Sequence, residues 1–272
     1  MTIIERLQQY KDLQPYKIAL IVDEEQYTYG QLYDAIISME FNNTSRIINL
    51  GQFNDGQKNK VLLIQSLSFV EQLLQWLWGL YKGYIPMVCH NEMDAAYIDE
   101  LARIISVEDV PTSADFGVLT SGTTGRPKPL WRSESSWREF FDIQNNIFYI
   151  NKDTKIFLHG SFSFTGVSNM VVAVLWSGGT VITTSSLRPI RWIQLIDKYH
   201  VDHIYALPTK LRLLVRHCKS KLDSISYIIG GSQVLDRQLM EQLELICPNM
   251  EFILYYGASE LNYITYCTGK EW

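Results

Sequence analysis

Short apolar runs alternate with amphipathic segments along most of the chain. The runs at residues 60–65 and 155–160 are largely apolar, which is typical of strands buried on both faces. Ser68 and Glu71 predict a capping box at the start of a helix after the first run, with Gly83 just past its end. The apolar side chains between them recur at the spacing of one helical face: Val70, Leu73, Leu74, Leu77 and Leu80.

The same alternation continues to residue 257. Pro208 marks the start of one helix, and Asp236 is the expected cap of another. Apolar segments predict a buried helix at 168–179 and strands at 180–185, 202–207, 226–231 and 251–257. Strands that alternate with helices predict an α/β fold of mostly parallel β-sheets flanked by helices. In such sheets, ligand sites collect at the carboxyl ends of strands.

Composition supports a soluble globular protein and narrows the partners. Hydrophobic residues make up 47% and charged residues 19% of the chain, which is an ordinary globular balance. The net charge of −5 gives no support to nucleic-acid binding. The apolar run at 170–176 is too short to span a bilayer, and the N-terminus lacks the apolar stretch of a signal peptide. The four cysteines form no CxxC pair, so we expect reduced thiols and a cytoplasmic location.

The stretch LTSGTTGRPKPL, residues 119–130, has the chemistry of a phosphate-binding loop. Glycine backbone exposes N–H groups to phosphate oxygens, hydroxyl side chains add donors, and lysine adds positive charge. The residues that supply these groups are Thr120, Ser121, Gly122, Thr123, Thr124, Gly125 and Lys128. The spacing excludes a Walker A loop, because two residues separate Gly125 from Lys128 and Pro129 follows the lysine. A solvated turn remains the alternative for this loop taken alone.

Residues 120–129 resemble the phosphate-binding signature of the adenylate-forming superfamily, which contains acyl-CoA synthetases, nonribosomal-peptide adenylation domains and firefly-type luciferases. Pro129 stands where that family has glycine, a change that stiffens the exit of the loop. Beyond the loop, further segments resemble motifs of this family and occur in the same order as in the family, at residues 27–32, 80–87, 206–214, 228–235 and 255–260. Together these motifs cover nearly the whole chain, and the resemblance is closest to the acyl-CoA synthetases.

The resemblance implies a role for each matching residue. Thr120 to Gly125 and Lys128 would hold the β- and γ-phosphates of ATP, and Glu260 would bind Mg²⁺. Ser259 would hydrogen-bond the nucleotide phosphate or the transferred carboxyl group. Tyr256 would stack on adenine, although its place in an apolar strand leaves a core role open. Gly230, Gly231, Ser232 and Gln233 would border the base, and Gly257 is a further expected nucleotide contact.

The segment HGSFSFTGVSN, residues 159–169, occupies the place of the family's acid-binding element. Members that activate amino acids usually carry an aspartate at the position of Ser163, so an amino-acid substrate lacks its charge partner here. Phe162 and Phe164 favour an apolar acid, fatty or aryl, while a core role for either ring remains open. Many acyl-CoA synthetases have a histidine near this position. Ser163 does not supply it, and His159 is four residues out of register.

The family's motifs beyond position 260 do not occur before Trp272. We therefore expect an incomplete N-terminal AMP-binding domain over residues 1–272, built as one α/β domain or as two α/β subdomains. We expect residues 1–272 to lack the small C-terminal lid domain with its adenylation lysine, because Lys270 matches no motif. The main hypothesis is the ATP- and carboxylic-acid-binding core of an acid–thiol ligase, which forms acyl-AMP before transfer to CoA or another thiol. By this interpretation the chain alone is inactive. The alternative is an inactive stand-alone nucleotide-binding or scaffold protein derived from such a ligase.

Overall fold

Sheets flanked by helices organise the described part of the chain. The computed structural model describes residues 1–41, 45–50, 60–120, 127–231, 233 and 235–269. Six residues predicted to bind the nucleotide lie outside the described residues: Ser121, Gly122, Thr123, Thr124, Gly125 and Ser232.

Helices in the described residues are 10 to 13 residues long. They are α1 (Ile3–Leu13), α2 (Tyr29–Ser38), α3 (Phe69–Tyr81), α4 (Ala95–Val107), α5 (Ser135–Ile147), α6 (Thr165–Ser177), α7 (Pro189–Lys198), α8 (Pro208–His217) and α9 (Arg237–Ile246). In this part of the chain, none of them is long and apolar enough to cross a membrane.

Most strands in the described residues have three to five residues, and the last two in the chain are longer. They are β1 (Ile18–Val22), β2 (Glu25–Thr28), β3 (Arg46–Asn49), β4 (Lys60–Ile64), β5 (Ile85–Val88), β6 (Phe116–Thr120), β7 (Lys128–Arg132), β8 (Lys155–Leu158), β9 (Thr180–Thr183), β10 (His203–Tyr205), β11 (Tyr227–Gly231), β12 (Glu251–Ala258) and β13 (Asn262–Thr268).

Contacts divide the chain into two compact units. Unit 1 comprises Met1–Tyr16, Tyr29–Phe140 and Gly160–Asn169, and unit 2 comprises Lys17–Thr28, Phe141–His159 and Met170–Trp272. The chain passes between the units several times, so neither unit is one continuous stretch of sequence.

The sheet of unit 1 has the strand order β3-β4-β5-β6-β7. Its inner pairs, β4–β5 and β5–β6, are parallel, and the edge strands β3 and β7 run antiparallel to their neighbours. Consecutive apolar residues bury β4 on both faces, as its sequence predicts. The aromatic cluster of this unit has ring centroids 4.5 to 6.2 Å apart and consists of Trp76, Phe116, Trp137 and Phe162.

The sheet of unit 2 has the order β13-β12-β11-β10-β8-β9-β1-β2. Every inner pair is parallel, and an antiparallel hairpin closes each edge, β1–β2 at one side and β12–β13 at the other. Helices α7, α8 and α9 cover an apolar core with this sheet, to which Leu195, Leu211 and Leu243 contribute side chains with 0% exposure. The predicted architecture of mostly parallel sheets flanked by helices is therefore confirmed, with antiparallel strands at the edges.

The local signals for helix ends are confirmed at α9 and only half confirmed at α3. The Asp236 carboxylate accepts a hydrogen bond from the Leu239 N–H at 2.9 Å and so caps α9. Ser68 accepts from the Glu71 N–H at 3.4 Å, but the Glu71 carboxylate accepts from the Ser66 hydroxyl. The Ser68 N–H donates to Ser66 Oγ at 3.0 Å instead. The reciprocal half of the predicted capping box is therefore wrong, because the Ser68 N–H and the Glu71 carboxylate both bond to Ser66 and not to each other.

Candidate functional site

The predicted phosphate loop connects the two strands of the β6–β7 hairpin in unit 1. Thr120 ends β6 and Lys128 begins β7, and the two residues pair across the hairpin. Thr120 Oγ1 donates to the Lys128 carbonyl at 3.5 Å, and the Lys128 side chain is exposed. The hairpin thus fixes both ends of the loop, whose residues 121–126 lie outside the described part.

The unusual Pro129 fits the strand in which it lies. Pro129 lies in β7, an edge strand of its sheet, and pairs with Leu119 of β6. Proline is tolerated in edge strands because its missing N–H removes no hydrogen bond of an inner ladder. Just before it, the carbonyl of Pro127 accepts a hydrogen bond from the hydroxyl of Tyr97 in α4. The exit of the loop is therefore held by both strand pairing and a side chain.

The predicted adenine-side glycines end β11 in unit 2, and each lies under an aromatic ring of β12. A Cβ atom on Gly230 would come within 2.7 Å of the Phe252 ring, and one on Gly231 within 2.6 Å of the Tyr255 ring. These distances are shorter than side-chain carbon atoms tolerate, so both positions require glycine for packing alone. Nucleotide contact by Gly230 and Gly231 stays a prediction.

Tyr256, Gly257, Ser259 and Glu260 lie where β12 turns into β13. The Tyr256 side chain is 63% exposed, so the core role that its sequence context left open is excluded. A Cβ atom on Gly257 would approach the Asn262 carbonyl oxygen within 2.6 Å. The Leu261 N–H donates to the Ala258 carbonyl at 3.1 Å and closes the turn that carries Ser259 and Glu260.

The Glu260 carboxylate is exposed and has no ion pair among the described residues. Within those residues, no group of three or more histidine, cysteine, aspartate or glutamate side chains could enclose a metal. A single carboxylate fits Mg²⁺, which keeps several waters and takes phosphate oxygens rather than requiring a cage of protein ligands. The residues present are therefore compatible with Mg²⁺ held jointly by Glu260 and a nucleotide.

The predicted acid-binding residues separate into core and surface positions. Phe162 is 1% exposed, and its ring packs edge-on against Phe69 at 6.0 Å and Trp76 at 5.7 Å. Phe162 belongs to the core of unit 1. The prediction that its ring faces an acid substrate is therefore wrong, and the core role that its sequence left open is the correct one. Phe164 is 47% exposed, and Ser163 between them is buried. Residues 162–164 form a turn, in which the Phe164 N–H donates to the Ser161 carbonyl at 3.3 Å.

His90, which none of the sequence motifs includes, lies against this segment within unit 1. Its Nδ1 is 3.0 Å from Ser163 Oγ, and its ring stacks on Phe164 with centroids 4.9 Å apart and 27° between the planes. Burial lowers the pKa of His90, and the Glu92 carboxylate opposes part of that shift. One feature of the sequence could have identified His90 as a candidate site residue. It lies two residues past the buried strand β5, at the carboxyl end of that strand, where ligand sites collect.

Comparison with known proteins gives a family match over most of the chain. The AMP-binding enzyme family matches residues 106–272, which include both the β6–β7 and the β12–β13 hairpins. The putative long chain fatty acid-CoA ligase VraA of Staphylococcus epidermidis is 25% identical over 281 residues, covering 97% of this chain and 60% of that protein. YhfT, an uncharacterized acyl-CoA ligase of Bacillus subtilis, is 28% identical over 67% of this chain and 37% of its own length. This chain thus spans about 60% of the length of VraA.

Solved structures share the fold at low sequence identity. The luciferase-like enzyme of the mealworm Zophobas morio has a TM-score of 0.78 and 12% identity, covering 98% of this chain and 74% of that one. Unliganded o-succinylbenzoate coenzyme A synthetase of Bacillus subtilis has a TM-score of 0.76 and 14% identity, covering 97% and 61%. At these identities the likeness concerns the fold alone, an α/β fold with mixed sheets flanked by helices.

Proposed function

The chain belongs to the AMP-binding enzyme family, and on that premise we propose that it is the ATP- and carboxylic-acid-binding part of an AMP-forming ligase. The observation that carries the proposal is the β6–β7 hairpin, which holds Thr120 and Lys128 at the two ends of the phosphate-type loop. The family match over residues 106–272 supports it, because that stretch contains the loop and Glu260.

In the proposed reaction, a substrate carboxylate oxygen attacks the α-phosphorus of ATP. The new C–O–P linkage gives the acyl-adenylate, and the bond between the α- and β-phosphates breaks to release pyrophosphate. Charge accumulates on the phosphates during this step, so donors and cations placed there lower its barrier. Thr120, Lys128 and the loop residues Ser121, Gly122, Thr123, Thr124 and Gly125 would hold the β- and γ-phosphates.

The nucleotide contacts proposed for unit 2 follow its strand ends. Tyr256 exposes its ring, which is what stacking on a purine requires. Ser259 would donate to a phosphate or to the carboxyl group in transfer. The backbone at Gly230, Gly231, Ser232 and Gly257 would border the nucleotide.

Glu260 is the residue proposed to hold Mg²⁺. When bound, the ion would neutralise phosphate charge and favour departure of pyrophosphate. Glu260 itself would orient the ATP phosphates through the ion, and its exposure leaves both carboxylate oxygens available for that contact.

For the acid, we propose an apolar substrate, fatty or aryl, and coenzyme A as the thiol acceptor. The buried Ser163 and the exposed Phe164 ring support an apolar acid over an amino acid, because no carboxylate stands at position 163 to pair with an ammonium group. The VraA relative, named as a putative long chain fatty acid-CoA ligase, supports a fatty acid and coenzyme A. The four free cysteines favour a reducing, cytoplasmic setting.

Calorimetric titration of the 272-residue chain with ATP, with and without Mg²⁺, tests the nucleotide part of this proposal. We expect Glu260→Gln to remove the gain in affinity that Mg²⁺ provides, and Lys128→Ala to weaken ATP binding about tenfold, because each variant loses a charge-assisted contact. Glu244→Gln and Lys82→Ala, which change exposed charges on α9 and after α3, are matched controls and should bind like the parent. No ATP binding by the parent chain would reject the proposal and favour the scaffold alternative.

A further inference from the structure

A chain of hydrogen bonds runs from the interior of unit 1 to His90. Gln72 in α3 is 0% exposed, and its side-chain oxygen accepts from the Phe162 N–H at 3.0 Å. Its side-chain nitrogen donates to the Ser66 carbonyl at 2.7 Å. Because a backbone N–H can only donate and a carbonyl can only accept, these two contacts fix which atom of the Gln72 amide is oxygen. Ser161 and Ser163 connect this amide to the histidine.

The direction of each hydrogen bond then follows in sequence. Ser161 Oγ accepts from the Ser163 N–H at 3.2 Å and lies 3.1 Å from the Gln72 oxygen. It also lies 3.4 Å from the side-chain oxygen of Asn91, which accepts from the Gln72 nitrogen at 2.9 Å. Donation from Ser161 to Ser163 would leave both amide oxygens facing a hydroxyl lone pair, so the single Ser161 proton is assigned to the amide side, where the Gln72 oxygen is the nearer acceptor. Ser161 Oγ and Ser163 Oγ are 2.8 Å apart, and with the Ser161 proton used, Ser163 must donate to Ser161. His90 Nδ1 lies 3.0 Å from Ser163 Oγ, whose proton is now also used. Nδ1 therefore carries the ring proton and donates to Ser163.

This arrangement leaves Nε2 of His90 with a lone pair. Among the described residues, no group forms a hydrogen bond with Nε2. This atom is also not buried. It is therefore open to solvent on a ring held by Ser163 at one edge and by the exposed Phe164 on one face. Burial lowers the pKa of His90, which favours the neutral ring. A neutral acceptor attracts O–H or N–H donors and does not attract a carboxylate, which only accepts.

We propose that His90 Nε2 accepts a hydrogen bond from a hydroxyl group on the acid substrate, while Phe164 contacts the apolar part of the same molecule. The inference rests on the proposed function and narrows its substrate class from an apolar acid to a hydroxyl-bearing one. His90 is then a specificity-determining residue, and Gln72, Ser161 and Ser163 are positioning residues that set its tautomer.

The tautomer can be measured without any ligand. In a long-range ¹H–¹⁵N correlation spectrum of the chain labelled with ¹⁵N-histidine, His90 should show the neutral form with the proton on Nδ1. The His90→Gln variant identifies its signals among those of the five histidines. Ser163→Ala removes the hydroxyl that accepts from Nδ1, so the opposite tautomer should become populated. A parent His90 with its proton on Nε2 would overturn the proposal.

Matched ligands test the specificity. Binding of meta-hydroxybenzoate, meta-methoxybenzoate and benzoate, and of β-hydroxydecanoate and decanoate, is compared by calorimetry in the presence of ATP and Mg²⁺. In at least one series, the hydroxyl compound should bind about tenfold more tightly than its partners, because only it can donate to Nε2. The methoxy compound has a similar size without a donor, so it separates hydrogen bonding from fit.

The same titrations with His90→Phe and Ser163→Ala should show that preference lost while ATP affinity is retained. In both series, equal binding of the hydroxyl compound and its partners by the parent chain, with ATP binding intact, would reject the role of His90 and leave the proposed function standing. Loss of ATP binding in the parent would reject the proposed function instead, and the tautomer measurement decides the state of His90 separately.

Discussion

At the scale of single residues, the same residue type takes opposite roles within a few positions. Phe162 fills the aromatic core of unit 1 with 1% exposure, whereas Phe164 exposes 47% of its side chain beside His90. Gly230 and Gly231 belong to a motif that predicts ligand contact. However, the aromatic ring packed over each of them is enough to explain why glycine is required there. A motif residue therefore needs its neighbours before its role can be assigned.

The cysteines offer a residue-scale prediction. Cys89 is 2% and Cys247 is 0% exposed, and burial raises the pKa of each thiol to about 12. At pH 8 such a group is thiolate in only about one molecule in ten thousand. We expect iodoacetamide to modify the partly exposed Cys218 and Cys267 of the native chain and to spare Cys89 and Cys247, as read by peptide mass spectrometry.

In denaturant all four cysteines should react, which is the internal control for reagent access. Rapid native labelling of Cys89 or Cys247 would contradict the burial of these side chains in the two cores.

At the scale of elements, two hairpins position the residues of the candidate site. Hairpin β6–β7 holds the ends of the phosphate-type loop, and hairpin β12–β13 presents Glu260 at its turn. Neither hairpin partner, β7 or β13, was predicted by the pattern of apolar positions. Both are edge strands with few buried residues, so their sequences carry a weak hydrophobic signal.

Helix α4 provides an element-scale prediction, because its N-cap is a single side chain. The Asp94 carboxylate accepts from the Tyr97 N–H at 2.7 Å, and the helix buries Ile98, Leu101 and Ile105. Asp94→Ala should lower the free energy of unfolding by about 1 kcal/mol, measured by urea denaturation, because a helix N–H loses its acceptor. Asp94→Asn keeps an acceptor at the same place and should cost only a small part of that. Equal losses in the two variants would assign the effect to charge and not to capping.

At the scale of the whole molecule, each sheet is assembled from strands that are distant in sequence. In unit 2, β8 lies between β10 and β9, and the β1–β2 hairpin from the start of the chain extends the sheet beyond β9. The parallel pairing of β1 with β9 joins residues about 160 positions apart. Such long-range pairing makes unit 2 depend on three separate segments.

The fragment of residues 170–272 tests this dependence. It keeps β9 to β13 but lacks β8 and the β1–β2 hairpin, so β9 and β10 lose the strand that joins them. We expect no cooperative urea transition and poor dispersion in its ¹H–¹⁵N spectrum, whereas the full chain should show both. A cooperative transition in the fragment would mean that the sheet of unit 2 tolerates loss of its inner strand.

Much of the fold and part of the candidate site were determined by the sequence itself. Runs of apolar residues predicted the inner strands β4, β8, β9, β10 and β11, because a strand buried on both faces must be apolar throughout. The spacing of glycine, hydroxyl and lysine residues in 119–130 predicted a phosphate-type loop, because those groups act locally through backbone and short side chains.

What only the tertiary structure decided concerns residues that meet across the chain. His90 and Ser163 are 73 positions apart, and no periodic pattern connects them. Periodicity reports which side of an element faces a core, but not which neighbour it meets there. The order of strands, the separate roles of Phe162 and Phe164, and the partner of Ser163 therefore came from packing. The contact of His90 with Ser163 is also what turns a loop-based expectation of an apolar acid into a specific hypothesis about a hydroxyl group.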